Sequence, residues 1–215
     1  MQSTMTDWVA WHAEYDDPAS RLARRVVEVQ RQIAAALDRA PSGSLQLISA
    51  CAGQGRDVIP VLASHPRGAD VRALLVEADR DLAHDARNNA LIAGLTDVEV
   101  VTGDASVTEA YAGYVPANIA VFCGIFGNIS DTDIHHTVAT LPALLAPGGE
   151  VLWTRYTTEP DLTPSIRGWF ADAGFEEMAF STDVAMRYGV GTHRLAPTTT
   201  PASFEAGVTL FTFLR

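Results

Sequence analysis

The apolar hexapeptide Leu45-Gln46-Leu47-Ile48-Ser49-Ala50 reads as a buried strand. It runs without a break into Cys51-Ala52-Gly53-Gln54-Gly55-Arg56-Asp57, from which a helix is expected over residues 55–64. A strand that ends in paired glycines and opens into a helix brings bare backbone to the carboxyl edge of a sheet, where N–H groups can face a ligand. Such a junction belongs to folds assembled from βα units. Alone it is a weak ligand signal, because a tight turn or a close backbone approach also explains a glycine pair.

The unit recurs along the chain. Strands are expected at 71–77, 98–102, 117–123 and 149–156. They are separated by a helix from Arg80 to near Gly94, a short helix at 108–111 and a helix at 131–145. Strands alternating with helices imply a parallel sheet with right-handed crossovers. Thr163-Pro164 opens another helix, through Trp169 and Phe170 to Gly174, and strands are expected at 175–184 and 208–213. Residues 189–203, rich in Gly, Thr and Pro, read as a loop too short for a packed crossover helix. The strand at 208–213 is therefore expected to return antiparallel.

Upstream, Asp17-Pro18 reads as a helix N-cap with proline at the first helical position, and Leu22, Val26, Val29, Ile33 and Leu37 follow at helical spacing. Residues 1–44 are thus expected to form an N-terminal helical extension to a main domain over 45–215. Trp8, Trp11 and Tyr15 give the extension an aromatic face suited to a lid over the strand ends, or to simple core packing.

Bulk properties narrow the function classes. A chain of 215 residues with 47% hydrophobic and 19% charged side chains suits one globular domain. Its net charge of −11 repels a phosphate backbone, which disfavours nucleic acid as a partner. Arg21, Arg24, Arg25 and Arg31 cluster, but share their helix with Glu28 and read as a solvated face. The two cysteines, Cys51 and Cys123, cannot build a disulfide framework, and no His or Cys cluster has zinc spacing, so no metal is expected. No apolar run approaches the roughly 20 residues of a membrane span, and the first residues lack a basic stretch followed by an apolar one. A cytoplasmic address is the expectation.

Two carboxylates strengthen the glycine signal. Leu74-Leu75-Val76 ends in Glu77-Ala78, with Glu77 twenty-four residues after Gly53. An acid at the second strand tip, about 20 residues beyond the turn, can accept hydrogen bonds from ribose hydroxyls. Asp79 can share that role. The third strand ends in Gly103-Asp104-Ala105, where Asp104 can accept from an adenine amino group and the Ala105 N–H can donate to the ring. Asp104 as a helix N-cap is the rival reading. A dinucleotide fingerprint needs a third glycine where this chain has Val58, and no glycine-rich turn carries the lysine of a phosphate loop. Adenosine signals without a polyphosphate cradle point to a monoadenosyl cofactor.

These residues resemble the class I, Rossmann-like S-adenosylmethionine-dependent methyltransferases over roughly residues 45–215. The Gly53–Gly55 turn, Glu77, Gly103-Asp104 and Leu144-Leu145-Ala146-Pro147-Gly148-Gly149-Glu150 carry the resemblance. It implies an α/β fold with a seven-stranded, mostly parallel sheet in the order 3-2-1-4-5-7-6, strand seven antiparallel, flanked by helices. It also implies S-adenosylmethionine as cofactor and S-adenosylhomocysteine as product. Carried over, Gly53 and Gly55 pack against the methionine part, Glu77 holds the ribose and Asp104 faces adenine. The remaining cofactor contacts are expected from Cys51, Ala52, Gln54, Asp57, Ala78, Ala105, Cys123 and Gly124. The chain departs from the family pattern at Ser49, where an acid is usual, and at Cys51, where a glycine is usual. Asp57 can replace the missing acid, or serve only as a favourable charge in a first helical turn. The run from Ser49 to Asp57, with Trp11-His12 and Gly124-Ile125-Phe126-Gly127-Asn128, is similar to uncharacterised methyltransferases of actinobacterial type.

Methyl transfer is an in-line displacement at an activated carbon, so the protein mainly aligns the acceptor and, where needed, removes a proton. The edge after strand four, Phe122-Cys123-Gly124-Ile125-Phe126-Gly127-Asn128, lacks the Asn/Asp-Pro-Pro-aromatic signature of amino-group methylation. Acceptor-side candidates are His12, Tyr15, Arg155 and Tyr156, with Tyr188 and His193 placed in the late loop and His135-His136 in a helix. Cys51 and Cys123 end neighbouring strands, which suits buried packing or a redox pair. The expected activity is methylation of an O, N or C atom of a small molecule. The alternatives are a protein that holds the cofactor without turnover and, disfavoured by Val58, an NAD-dependent oxidoreductase.

Overall fold

A computed structural model describes residue 15 and residues 17–183, 187–200 and 202–214. His12, Trp8 and Trp11 lie outside the described residues. Among the described residues no helix is long and apolar enough to cross a membrane.

The elements follow one another as α1 (Arg21–Arg39), β1 (Leu45–Ala50), α2 (Ile59–Ser64), β2 (Val71–Glu77), α3 (Arg80–Ile92), β3 (Val98–Thr102) and β4 (Ala117–Phe122). Then come α4 (Asp131–Thr140), β5 (Leu145–Tyr156), α5 (Thr163–Asp172), β6 (Phe175–Asp183) and β7 (Tyr188–Leu195). The strands form one seven-stranded sheet in the order β3-β2-β1-β4-β5-β7-β6. Strands β1 to β5 pair in parallel, and β7 runs antiparallel between β5 and β6. The expected strand order, and the antiparallel sense of the seventh strand in a mostly parallel sheet, are those observed.

The strands read as near-continuous apolar runs because both faces are covered. Leu47, Ile119 and Val121 point into a layer with Ile33, Leu37, Leu62 and Ala86 from α1, α2 and α3. Ile48, Ala120 and Phe122 point the other way, onto Ile134, Val138, Ile166 and Phe170 from α4 and α5. Trp153 anchors this second layer, its ring stacked on Phe170 at 5.9 Å between centroids.

Several expectations about individual elements are corrected. The helix α1 begins after Ser20, whose Oγ accepts from Ala23 N, so Ser20 and not Asp17 is the N-cap. Helix α2 starts at Ile59, four residues later than expected, because residues 51–58 form a turn whose left-handed residues Cys51, Gly53 and Gly55 cannot continue a helix. Helix α4 stops at Thr140, and Pro142 lies in a short 3-10 turn before β5, which begins at Leu145.

The largest correction concerns the seventh strand. It is Tyr188–Leu195, in the stretch read as a loop, and residues 208–213 make only the isolated bridges Val107↔Thr209 and Ile129↔Phe213. The glycines are there because the sheet needs them. A β-carbon at Gly191 would lie 2.5 Å from the Trp153 ring, and one at Gly189 2.8 Å from Phe180. The segment 208–213 instead straps the α4 side, burying Leu210 and Phe211, with Thr137 Oγ1 donating to Leu210 O at 2.8 Å. Tyr188 and His193 are therefore strand residues, both buried, and His193 stacks on Phe170 in the core.

Candidate functional site

The strand order reverses between β1 and β4. The crevice outside the carboxyl ends at such a switch point is where ligands bind in open α/β sheets. A cavity of about 450 Å³ lies there. Its walls come from the turn after β1 (Cys51, Ala52, Gly53, Gln54, Arg56, Asp57), the tip of β2 (Glu77, Ala78, Asp79) with Leu82, and the end of β4 (Cys123, Gly124, Asn128). Tyr15, Arg25 and Phe213 complete it.

The turn is held from several directions. Ala52 N donates to Val76 O, extending the β1–β2 pairing by one bond. Gly55, at φ +73°, has no room for a side chain, since a β-carbon would overlap Ile59 Cδ1 and touch Leu75. Cys51 holds φ +52° without being a glycine. That costs of order 1–2 kcal/mol, and such strain concentrates at functional sites. Gln54 is fixed by Asp85 at 2.8 Å and by Arg56 at 2.7 Å, and Asn89 from α3 and Gln30 from α1 donate to the carbonyls of Gln54 and Arg56.

Glu77 is buried, and its two oxygens do different work. Oε2 accepts from Gly53 N at 2.7 Å and Oε1 from Asp79 N at 2.9 Å. Asp79 itself caps α3, accepting from Asp81 N and Leu82 N, which explains an acid there without a ligand. Asp104 is exposed and closes a turn onto Ser106 N at 2.8 Å. The Ala105 carbonyl accepts from the buried Tyr111 hydroxyl at 2.6 Å. Gly55, Asp104 and Ala105, all expected cofactor contacts, do not line the cavity; Asp104 lies close enough to Cys51 to act on its thiol.

Burial pushes the Cys51 thiol up to about 12, with Glu77 and Asp104 adding to the effect, and pushes Cys123 well above its usual value. Both are free thiols without thiolate character near neutral pH, so they pack rather than react. Ser49, at the position where the family usually has an acid, is buried in β1 and does not line the cavity.

Arg25 was read as part of a solvated basic face, and the structure overturns this. Arg21, Arg24 and Arg31 are exposed, but Arg25 is only 3% exposed and faces the cavity. Its Nη2 donates to the Tyr15 hydroxyl at 2.7 Å, and its guanidinium lies over the Tyr188 ring at 5.5 Å. Burial works against the Arg25 charge, but Tyr15 and Asp57 more than offset it and hold it protonated. Burial raises the Tyr15 phenol to about 12 even beside this cation, and raises the Asp57 carboxyl despite the opposing pull of Arg25.

Of the acceptor-side candidates, Tyr15 lines the cavity. Arg155 and Tyr156 line a small neighbouring cleft with Thr154 and Tyr188, which shares Arg25, Gly124 and Asn128 with the cavity wall. Arg155 donates to the Phe126 carbonyl, and Tyr156 packs on Tyr188 with centroids 4.5 Å apart. His193 accepts from Trp153 Nε1 at 3.1 Å in the core, remote from the cavity lining. His135 meets Trp169 edge-on and His136 bonds the Thr209 carbonyl.

The sequence reading missed Arg25, Arg56, Leu82, Asn128 and Phe213. For Arg25 a signal existed. It sits three residues after Leu22 and four before Val29, on the apolar stripe of α1. No local pattern marks Phe213 or Asn128, which reach the cavity because the end of the chain pairs with the loop after β4: Leu214 N donates to Asn128 O. Among the described residues no cluster of His, Cys, Asp and Glu could hold a metal ion.

No family model matches the chain, and no curated protein matches it in sequence. Solved structures match it in fold. An O-methyltransferase family protein from Burkholderia thailandensis superposes with a TM-score of 0.68 at 17% identity, over 90% of this chain and 62% of that one. The chain thus spans less than two thirds of that protein. Magnesium protoporphyrin IX methyltransferase from Synechocystis, with bound S-adenosylhomocysteine, gives 0.67 at 12% identity over 89% and 94% of the two chains. An RNA methyltransferase from Salinibacter ruber in complex with S-adenosylhomocysteine gives 0.52 at 20% over 83% and 97%. At these identities the likeness establishes the fold, a Rossmann-like methyltransferase architecture.

Proposed function

We propose that the chain is an S-adenosylmethionine-dependent methyltransferase that acts in the cytoplasm on an O, N or C nucleophile of a small molecule. The observation that carries this reading is the Glu77 carboxylate at the mouth of the switch-point cavity. Each of its oxygens takes one backbone N–H, which leaves a further lone pair on each for the two hydroxyls of a ribose.

The cavity fits the cofactor in size and chemistry. About 450 Å³ lies within the range of small-molecule sites. Gly53 leaves the backbone bare where the methionine part would pass; Gly55, packed against Ile59 and Leu75 outside the cavity lining, shapes the turn instead; and Asp104, beside Cys51, would face the adenine. Val58 is fully buried in the layer under α1, where a dinucleotide fold has its third glycine, so the turn offers no cradle for a pyrophosphate. Solved structures of the same fold hold S-adenosylmethionine or S-adenosylhomocysteine, in agreement with this reading.

When bound, the cofactor supplies a methyl group on a sulfonium, and the chain has to exclude water and orient the acceptor. From the N-terminal extension, α1 packs on β5 and β7 and brings Arg25 to the cavity wall beside Tyr15, as a lid would. Tyr15, with its phenol held neutral, serves to orient rather than to deprotonate. Arg155 and Tyr156 line the neighbouring cleft through which an acceptor would approach, and His12 remains a candidate on the same extension.

Isothermal titration with S-adenosylhomocysteine and with NAD tests the reading. One-to-one binding of the first and none of the second is expected. Absence of S-adenosylhomocysteine binding would remove the proposal, and turnover of a labelled methyl donor on a panel of small acceptors would separate catalysis from simple cofactor holding.

A further inference from the structure

We infer that the methyl acceptor is a small-molecule carboxylate, seated by Arg155 in the cleft at the ends of β4 and β5, and that the product is its methyl ester. The inference rests on the functional reading above and deepens it by naming the acceptor class.

The cleft is closed by a tight approach of two segments. Gly127 lets the loop after β4 lie on Tyr156, since a β-carbon there would stand 3.0 Å from the ring. Tyr156 in turn packs on Tyr188, and Gly124 N donates to Thr154 Oγ1 at 2.8 Å. The space left, about 10 Å³, has room for one water-sized group. An acceptor can put an oxygen there while its body stays in the adjoining cavity, with which the cleft shares Arg25, Gly124 and Asn128.

The charge of the wall is one-sided. Arg25 and Arg155 line the cleft, and among the described residues no acid does. Asp57 stands against the Arg25 charge from the cavity side. Arg155 is half-buried, and its Nη1 donates to the Phe126 carbonyl, a neutral partner; no carboxylate pairs with it among the described residues. In a chain of net charge −11, a guanidinium left without an acid in a narrow cleft selects an anionic group.

The chemistry narrows the anion. An alcohol, phenol or ammonium acceptor has to lose a proton to a base. The described wall offers none near neutral pH: burial raises the Tyr188 phenol, pushes Tyr15 up to about 12 and keeps Cys123 a thiol. Glu77 and Asp79 hold backbone N–H groups at the tip of β2. A carboxylic acid, ordinarily ionised above about pH 4, arrives without that proton. One of its oxygens rests on Arg155. The other gives a lone pair to the methyl carbon as the carbon–sulfur bond breaks and its electron pair returns to sulfur. Carboxylate and sulfonium charges cancel, leaving a neutral ester and a neutral thioether, and no proton moves.

Isothermal titration of the protein saturated with S-adenosylhomocysteine compares phenylacetate with 2-phenylethanol and 2-phenylethylamine, which share its body and differ in the head. Phenylacetate is expected to bind at least about ten-fold more tightly, the ordinary worth of a charge-assisted hydrogen bond. Arg155→Gln should abolish this preference and Arg155→Lys restore part of it, both keeping S-adenosylhomocysteine affinity within about two-fold of wild type. With a labelled methyl donor and a panel of small acids, alcohols and amines, the label should enter alkali-labile esters at a rate that is flat from pH 6.5 to 8.5. An acid that binds no better than the alcohol, a preference that survives in Arg155→Gln, or alkali-stable products would overturn the inference while leaving the cofactor site intact. Failure of S-adenosylhomocysteine to bind would instead remove the functional reading, and this inference with it.

Discussion

Glu77, at the tip of β2, accepts a hydrogen bond from the Gly53 N–H in the turn after β1, 2.7 Å between heavy atoms, so one carboxylate ties together two adjacent strand ends. The bond fixes the turn and at the same time places the carboxylate in the cavity wall. On the proposed function, structure and ligand recognition share this one side chain.

Replacing Glu77 by Ala removes the acceptor for both the Gly53 and the Asp79 N–H groups. S-adenosylhomocysteine affinity should fall by about ten-fold or more, and the melting temperature should fall as well. Glu77→Gln keeps one carbonyl oxygen but turns an amide NH₂ toward a backbone donor or a ribose hydroxyl, and should weaken binding with a smaller cost in stability. Undiminished affinity in Glu77→Ala, read by isothermal titration, would remove the ribose assignment.

His193 predicts an acid-sensitive core. Burial lowers its pKa from 6.5 to about 4, against the pull of Glu177, whose Oε2 lies 3.5 Å from Nε2. Trp153 Nε1 donates to Nδ1, which assigns the proton of the neutral ring to Nε2. The unfolded chain takes up a proton near 6.5 and the folded chain only near 4. The contribution is therefore complete above about pH 6.5 and is lost as pH falls toward 4, amounting to about 3 kcal/mol. Urea unfolding between pH 7.5 and 4.5 should show this loss in the wild type. A His193→Gln variant should lack that component, and an unchanged pH dependence in it would argue against the assignment.

Glu150 should matter for stability and not for the ligand. It is buried, and it accepts from Arg39 at 2.9 and 2.7 Å and from Arg194 at 3.2 and 3.0 Å, joining the end of α1 to β5 and β7. Glu150→Gln leaves two guanidiniums facing each other. Since both arginines are partly exposed and can turn to water, the expected cost is about 2 kcal/mol rather than the full price of a buried charge. Urea unfolding measures it, and S-adenosylhomocysteine affinity should stay within about two-fold of wild type because Glu150 does not line the cavity. A loss of affinity with unchanged stability would contradict this division.

What the sequence determined by itself is local. The apolar run of β1 ending in Gly53 and Gly55, the acid Glu77 at the next strand tip and the alternation through β5 depend on backbone sterics and on short-range periodicity, and all are visible in consecutive residues. The tertiary structure decided what distant segments do to one another. Gly189 and Gly191 look like loop residues until Phe180 and Trp153 are laid over them; then their lack of a side chain is what lets β7 enter the sheet, and the strand expected at 208–213 becomes a strap. Arg25 looks like one more exposed arginine until α1 docks and turns it into the cavity wall, where it is buried with its guanidinium bonded to Tyr15 and set over the Tyr188 ring. Burial and close approach between residues far apart in the chain decide these cases, and no local pattern carries that information.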